Sequence, residues 1–336
     1  MNETMAVMPS VSAEHPDRPS EERRVLGSAM KEARALVEGV RAGRSRAIAR
    51  TISVIEQDTD LGRAVVGALA EGVGRAHRIG ITGPPGAGKS SLVGALIDAL
   101  AREGARVGIV AVDPSSRRTG GAILGDRVRM EKNAEGHDVF VRSLGSRGDV
   151  GGLSLAAMGA ADVLDAAGYD PVIVETVGTG QDEVEVADMV HTRIVVLPPG
   201  LGDEVQAIKA GVMEIADVFV ISKCDLPGAD LVRQHLLSLV RLRRPEARPP
   251  IISTSSMSGS GIAELVEALA ARAHVRPPDF AKSALARLIV RRALRAMEQA
   301  LDALPQAVMG ELCERMRRGE LTLARAASEA VRSARV

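Results

Sequence analysis

The stretch Arg78-Ile79-Gly80-Ile81-Thr82-Gly83-Pro84-Pro85-Gly86-Ala87-Gly88-Lys89-Ser90-Ser91 decides the fold. Ile79, Ile81 and Thr82 form a short β-branched run, which favours a strand. Gly83 to Ser90 then fit the pattern G-x-x-x-x-G-K-[ST], and residues 89–103 have helical periodicity. Each part has its own physical role. Glycines let the backbone curl until successive N–H groups point inward at phosphate oxygens. The helix contributes the positive end of its dipole. Lys89 brings a point charge to the β- and γ-phosphates, and the Ser90 hydroxyl is placed for magnesium. The predicted phosphate-binding set is Gly83, Pro84, Pro85, Gly86, Ala87, Gly88, Lys89, Ser90 and Ser91.

Working outward, further β-branched runs fall at 107–112, 139–141, 171–175, 193–197, 218–222 and 251–254. Helix-length segments lie between or after them at 153–167, 204–215, 229–241 and 262–273. Most of the strand runs are apolar throughout, as strands buried on both faces must be. The alternation predicts an α/β fold, a doubly wound and mostly parallel sheet, over residues 76–275. Residues 1–20 are predicted as a disordered tail. Residues 21–75 are predicted as a helical extension, with Ala33, Leu36, Val37 and Val40, then Ala47, Ile48, Ile52 and Ile55, at helical spacing. Residues 276–336 are predicted as a helical arm. Its stripe of Leu285, Leu288, Ile289, Leu294 and Leu301 is expected to pack between two subunits.

Carboxylates recur at strand ends, where a parallel sheet collects its functional groups. Asp113 ends one run and Glu175 another, each within reach of a magnesium ion or its water shell. Gly178, three residues after Glu175, is placed to give its N–H to a γ-phosphate. Asp126 lies in a Gly-rich polar stretch. Ser222-Lys223-Cys224-Asp225 follows another strand. A carboxylate at Asp225 accepts from guanine N1–H and the 2-amino group, donors that adenine does not offer in that arrangement. The Lys223 stem suits a base face, and a backbone N–H of Ser255-Ser256-Met257 suits guanine O6.

The 43 basic and 43 acidic residues balance, so the composition gives no electrostatic reason to expect nucleic acid or anionic membrane as a partner. One Tyr, three Phe and no Trp leave little with which to stack bases. Two cysteines, Cys224 and Cys313, make no disulfide framework, and the six His have no zinc-ligand spacing. No apolar run approaches a membrane span, so a cytoplasmic protein is expected. His137 and His191 read as structural, Cys224 as an unreactive small residue, and the paired arginines as solvated faces.

Three longer strings resemble a family. The first comprises Ala111-Val112-Asp113-Pro114-Ser115-Ser116 and Thr119-Gly120-Gly121-Ala122-Ile123-Leu124-Gly125-Asp126. The second is Glu175-Thr176-Val177-Gly178-Thr179-Gly180-Gln181-Asp182-Glu183. The third is Pro199-Gly200-Leu201-Gly202-Asp203-Glu204-Val205-Gln206-Ala207-Ile208-Lys209. Together with the phosphate loop they are similar to three switch segments of the G-protein chaperones of adenosylcobalamin-dependent acyl-CoA mutases. That resemblance implies a GTPase with magnesium held by Ser90, helped by Asp113, Asp126 and Glu175. It implies a homodimer that gates cofactor loading into a mutase and protects it. Gln206 and Lys209, in the third segment, are expected to couple the partner to nucleotide state. The sequence departs from the pattern at Ser222, where Asn is common, at Asp149 and Val150, and in a tail without aromatics. A kinase using the same loop, or a metal-insertion GTPase, are the rival readings. No acceptor-pocket base speaks for the first, and no Cys or His cluster near the switches for the second.

Overall fold

Strand β1 (Arg78–Thr82) is buried along its whole length, which fits its central place in a sheet. A computed structural model describes residues 18–57, 59–70, 72–113, 138–145, 150–176, 189–200, 216–273 and 280–334. Seven strands form one parallel sheet: β1, β2 (Val107–Asp113), β3 (Val139–Gly145), β4 (Val172–Glu175), β5 (Thr192–Leu197), β6 (Val218–Ile221) and β7 (Ile251–Ser253). Their order is β3-β2-β4-β1-β5-β6-β7. Parallel neighbours need crossovers, and among the described residues the helices Lys89–Arg102, Val150–Ala166 and Ala229–Val240 lie in those from β1 to β2, β3 to β4 and β6 to β7.

The helices of the N-terminal and central regions are α1 (Arg18–Arg41), α2 (Ser45–Glu56), α3 (Asp60–Leu69), α4 (Lys89–Arg102), α5 (Val150–Ala166), α6 (Ala229–Val240) and α7 (Ile262–Ala273). Alternate strand residues point to opposite faces. Ile109, Ala111, Ile194 and Val196 pack beneath α4 and α7. Val110 and Val112 face α1, α2, α3 and α5. Val195 and Leu197 join Phe219 and Ile221 under α6. The N-terminal helices therefore belong to a core shared with the sheet: Ile48, Ile52, Val65 and Leu69 lie in one buried cluster with Val172 and Val174. Approach is close enough that a Cβ at Gly159 of α5 would stand 2.6 Å from Ile55 Cγ2.

A buried ionic knot joins α5 to β1 and to the segment that leads into it. Asp165 on α5 accepts the N–H groups of Gly74, Arg75 and Ala76 at 2.7, 3.2 and 3.1 Å. Arg78, only 3% exposed, donates to Asp162 at 2.6 Å and Asp165 at 3.2 Å. Burial pulls the Arg78 guanidinium downward, and the two carboxylates outweigh it and hold it above its ordinary value. Across α2, Arg142 of β3 bonds Ser53 Oγ at 3.0 Å and Glu56 at 2.9 Å.

The C-terminal residues form α8 (Phe280–Asp302), α9 (Gln306–Arg317) and α10 (Leu323–Ser333). Leu312, Leu321 and Ala330 make a small separate core, against which Leu301 packs. Ile289 and Leu294 of the expected stripe are exposed, and the side chains of Leu285 and Leu288 lie outside the described residues. The expected helix at 204–215 lies outside them too.

Candidate active site

The chain leaves β1 at Gly83, hard against β5. A Cβ there would drive into the Val196 carbonyl oxygen, so only glycine fits. Gly88 has φ 83°, in the left-handed region, and caps α4. Lys89 opens α4 and is buried; its Nζ donates to the carbonyls of Gly83 at 2.9 Å and Pro84 at 3.1 Å. Its charge therefore rests against the loop backbone.

Ser90 Oγ donates to Glu175 Oε1 at 2.7 Å. The sheet register explains the meeting. Glu175 ends β4 opposite Ile81 of β1 on one side and Ala111 of β2 on the other. All strands run the same way, so the start of α4, Glu175 and the end of β2 share one edge. Asp113 closes β2 with its backbone opposite Gly145, while its side chain lies outside the described residues. Asp126, Gly178, Gln206 and Lys209 lie outside them as well. Two oxygen donors, Ser90 and Glu175, are thus brought together, a chemistry that suits magnesium.

Two threonines escaped the sequence reading. Thr176 takes the Ile81 carbonyl through its N–H at 3.0 Å, and its hydroxyl meets Thr82 Oγ1 at 3.1 Å. They fasten the ends of adjacent strands beside the phosphate loop. The available signal was a threonine at the end of each strand, which speaks only once β1 and β4 are known to be neighbours.

The base loop leans on the phosphate loop. Ser222 Oγ donates to the Ala87 carbonyl at 2.6 Å, and Lys223 Nζ to the Gly86 carbonyl at 2.9 Å. Lys223 holds φ 50°, an uncommon conformation for a residue with a side chain. Serine in the common asparagine position therefore still carries a donor that reaches the phosphate loop. The Cys224 N–H bonds the Thr254 carbonyl at 3.0 Å, fixing this loop to the one after β7. Asp225 is exposed, and the Ser255 hydroxyl, then its own backbone N–H, hold its carboxyl below the usual range. An ionised, accessible carboxylate can accept two N–H donors. Ser255 is buried, Ser256 is half-buried, and Met257 is 95% exposed at the loop tip. A cleft of about 790 Å³ runs from Ser90 and Ser91 along α4 and α7, past Asp98, Arg102, Ile262 and Val266, with Ser256 and Met257 on its rim. His191 lies away from them, taking the Arg78 N–H on Nδ1 at 2.9 Å.

The family described as "Methylmalonyl Co-A mutase-associated GTPase MeaB" matches residues 46–317, most of the chain. The chain belongs to the MeaB family. A protein of Pyrococcus horikoshii named a putative GTPase is 46% identical over 237 residues, 69% of this chain and 75% of its own. GTPase ArgK of Escherichia coli is 40% identical over 242 residues, 70% of this chain and 73% of its own. The mouse protein named methylmalonic aciduria type A homolog, mitochondrial, is 40% identical over 194 residues, 56% of this chain and 47% of its own. A crystal structure titled LAO/AO transport system kinase superposes with a TM-score of 0.69 at 26% identity, covering 92% of this chain and 98% of that one. This MeaB-family chain is a GTP hydrolase with a P-loop GTPase fold. No helix among the described residues is long and apolar enough to cross a membrane.

Proposed function

We propose that the chain hydrolyses GTP at the phosphate and base loops, and that its nucleotide cycle chaperones an adenosylcobalamin-dependent acyl-CoA mutase. The observation that carries the site reading is the joint brace of Ser222 and Lys223 on Ala87 and Gly86, which holds a base reader and a phosphate cradle in one frame. The family's name carries the partner.

In this reading the backbone N–H groups from Gly83 to Ser91 surround the phosphates, and Lys89 exchanges loop carbonyls for phosphate oxygens. Asp225 accepts from guanine, Lys223 lies along the base, and the backbone of Ser255, Ser256 and Met257 meets O6. Ser222 and Cys224 hold that loop in place. Ser90 and Glu175, with Asp113 and Asp126, would hold magnesium. Magnesium, when bound, neutralises charge on the β- and γ-phosphate oxygens. Gly178 gives its N–H to the γ-phosphate. Water attacks the γ-phosphorus and GDP departs, driven by positioning and charge rather than by a strong base. The basal rate is slow, the protein is a cytoplasmic homodimer, and the partner fixes the loops that carry Gln206 and Lys209.

The test measures GTP turnover with and without purified methylmalonyl-CoA mutase. Mutase is expected to raise the rate of the unmutated protein. Gln206→Ala and Lys209→Ala should lose that rise and keep basal turnover and GDP affinity. Absence of stimulation in the unmutated protein defeats the partner reading. Full stimulation in both variants removes the two residues from the coupling.

A further inference from the structure

Helix α6 carries a buried apolar row and, beside it, an exposed row rich in leucine. Val232, Leu236 and Val240 are buried against the sheet. One residue earlier in each turn stands a second row: Leu231, His235, Leu239 and, just past the helix, Leu242. Steps of four, four and three place them on one line along the helix. Leu231 is 57% exposed, Leu239 43% and Leu242 85%. A lone exposed leucine is ordinary, whereas three aligned on one face make a patch.

The far end of this row has a built backbone. The Leu242 N–H donates to the Leu239 carbonyl at 3.1 Å, and the Arg243 N–H to Val240 at 3.0 Å. The Arg248 guanidinium closes over it, donating to the carbonyls of Arg243 at 3.2 Å and Arg241 at 3.3 Å. Leu242 is thus held out on fixed chain, with exposed Arg241 and Arg244 nearby in sequence. Residues 226–248 carry five arginines, at 233, 241, 243, 244 and 248, against Asp230 and Glu246. In a chain whose charges balance overall, that is a local excess.

We propose that this outer face of α6 is the docking surface for an acidic-rimmed apolar patch on the mutase. The proposal rests on the reading that a mutase is the partner. Charge complementarity selects the occupant. Two copies meeting through the same face would set arginine against arginine. A bilayer surface is a poorer fit, because 226–248 has no lysine and no aromatic residue to anchor at the headgroups. Arginine with leucine, on the other hand, is common protein-interface chemistry, where Arg is enriched and Lys depleted. The face also begins only a few residues after Asp225, so an occupant lies beside the base loop.

Purified methylmalonyl-CoA mutase is the probe, with binding to the full chain measured by biolayer interferometry at two salt concentrations. Leu239→Asp/Leu242→Asp should weaken binding at least tenfold, and Arg241→Glu/Arg244→Glu should weaken it and flatten its salt dependence. Basal GTP turnover and the light-scattering mass should not change, since all four side chains lie outside the phosphate and base loops. Mutase binding equal to that of the unmutated protein in both variants overturns the proposal and leaves the partner reading standing. No binding by the unmutated protein overturns both. A change of oligomeric mass in the variants reassigns the face to a second copy. Loss of binding to phosphatidylserine vesicles, with mutase binding intact, reassigns it to a membrane.

Discussion

Ser222 concentrates the consequences of one hydroxyl. It is buried, and its proton goes to the Ala87 carbonyl at 2.6 Å, inside the phosphate loop. Ser222→Ala leaves that carbonyl without this donor, at a cost of about 1–3 kcal/mol. If about half of that reaches the bound state, GDP affinity falls about two- to tenfold. Ser222→Thr keeps the hydroxyl and should bind as the unmutated protein does. Isothermal calorimetry decides the matter, and alanine binding as tightly as serine would mean that the brace is idle. The proposed roles of Lys89, Ser90 and Asp225 come from local spacing, because each depends on its neighbours in the chain. The partners of Ser222 and Thr176 were not. Ala87 lies 135 residues from Ser222, and Thr82 lies 94 from Thr176, so only the strand order brings them together.

Among the elements, β1 and α5 depend on one another through charge. Arg78 is buried with Asp162 and Asp165, and Asp165 also gathers three backbone N–H groups before β1. Arg78→Ala strands two carboxylates beside the core, which costs about 3–5 kcal/mol. The urea midpoint should drop accordingly, with GTP affinity retained in the protein still folded, since this knot lies at the far end of β1 from Gly83. An unchanged midpoint would show that solvent or neighbours compensate the carboxylates. Element boundaries also depended on pairing. The apolar run predicted β3 only over 139–141, whereas β3 extends to Gly145 because β2 pairs with it rung by rung from Val107 to Asp113. Polar Arg142 and Ser143 conceal that strand from a reading of hydropathy, because an edge strand with partly exposed faces need not be apolar.

At the scale of the whole molecule, separate clusters account for different parts of the chain. The sheet core takes in the N-terminal helices, while α9 and α10 close a small core of their own around Leu312, Leu321 and Ala330. Ile289, Val290 and Leu294 on α8 remain exposed. The proposed homodimer would cover these residues, which the single chain leaves in water. Truncation after Phe280 should therefore convert a dimer to a monomer by light scattering, with little change in the thermal midpoint of the sheet core. A truncated protein that stays dimeric refutes the arm as the interface.

The sequence by itself determined the class of fold and the strand–loop–helix around Gly83 and Lys89, and it supplied the residues proposed to face phosphate, magnesium and guanine. Those features follow from short-range periodicity and from chemistry written within a few adjacent residues. Only the tertiary structure decided that β4 lies between β1 and β2, which brings Glu175 to Ser90. It decided too that the helices before residue 75 complete the core on one face of the sheet. Burial area and strand neighbours are properties of the assembled chain, and no local pattern specifies which of several apolar helices will cover which face.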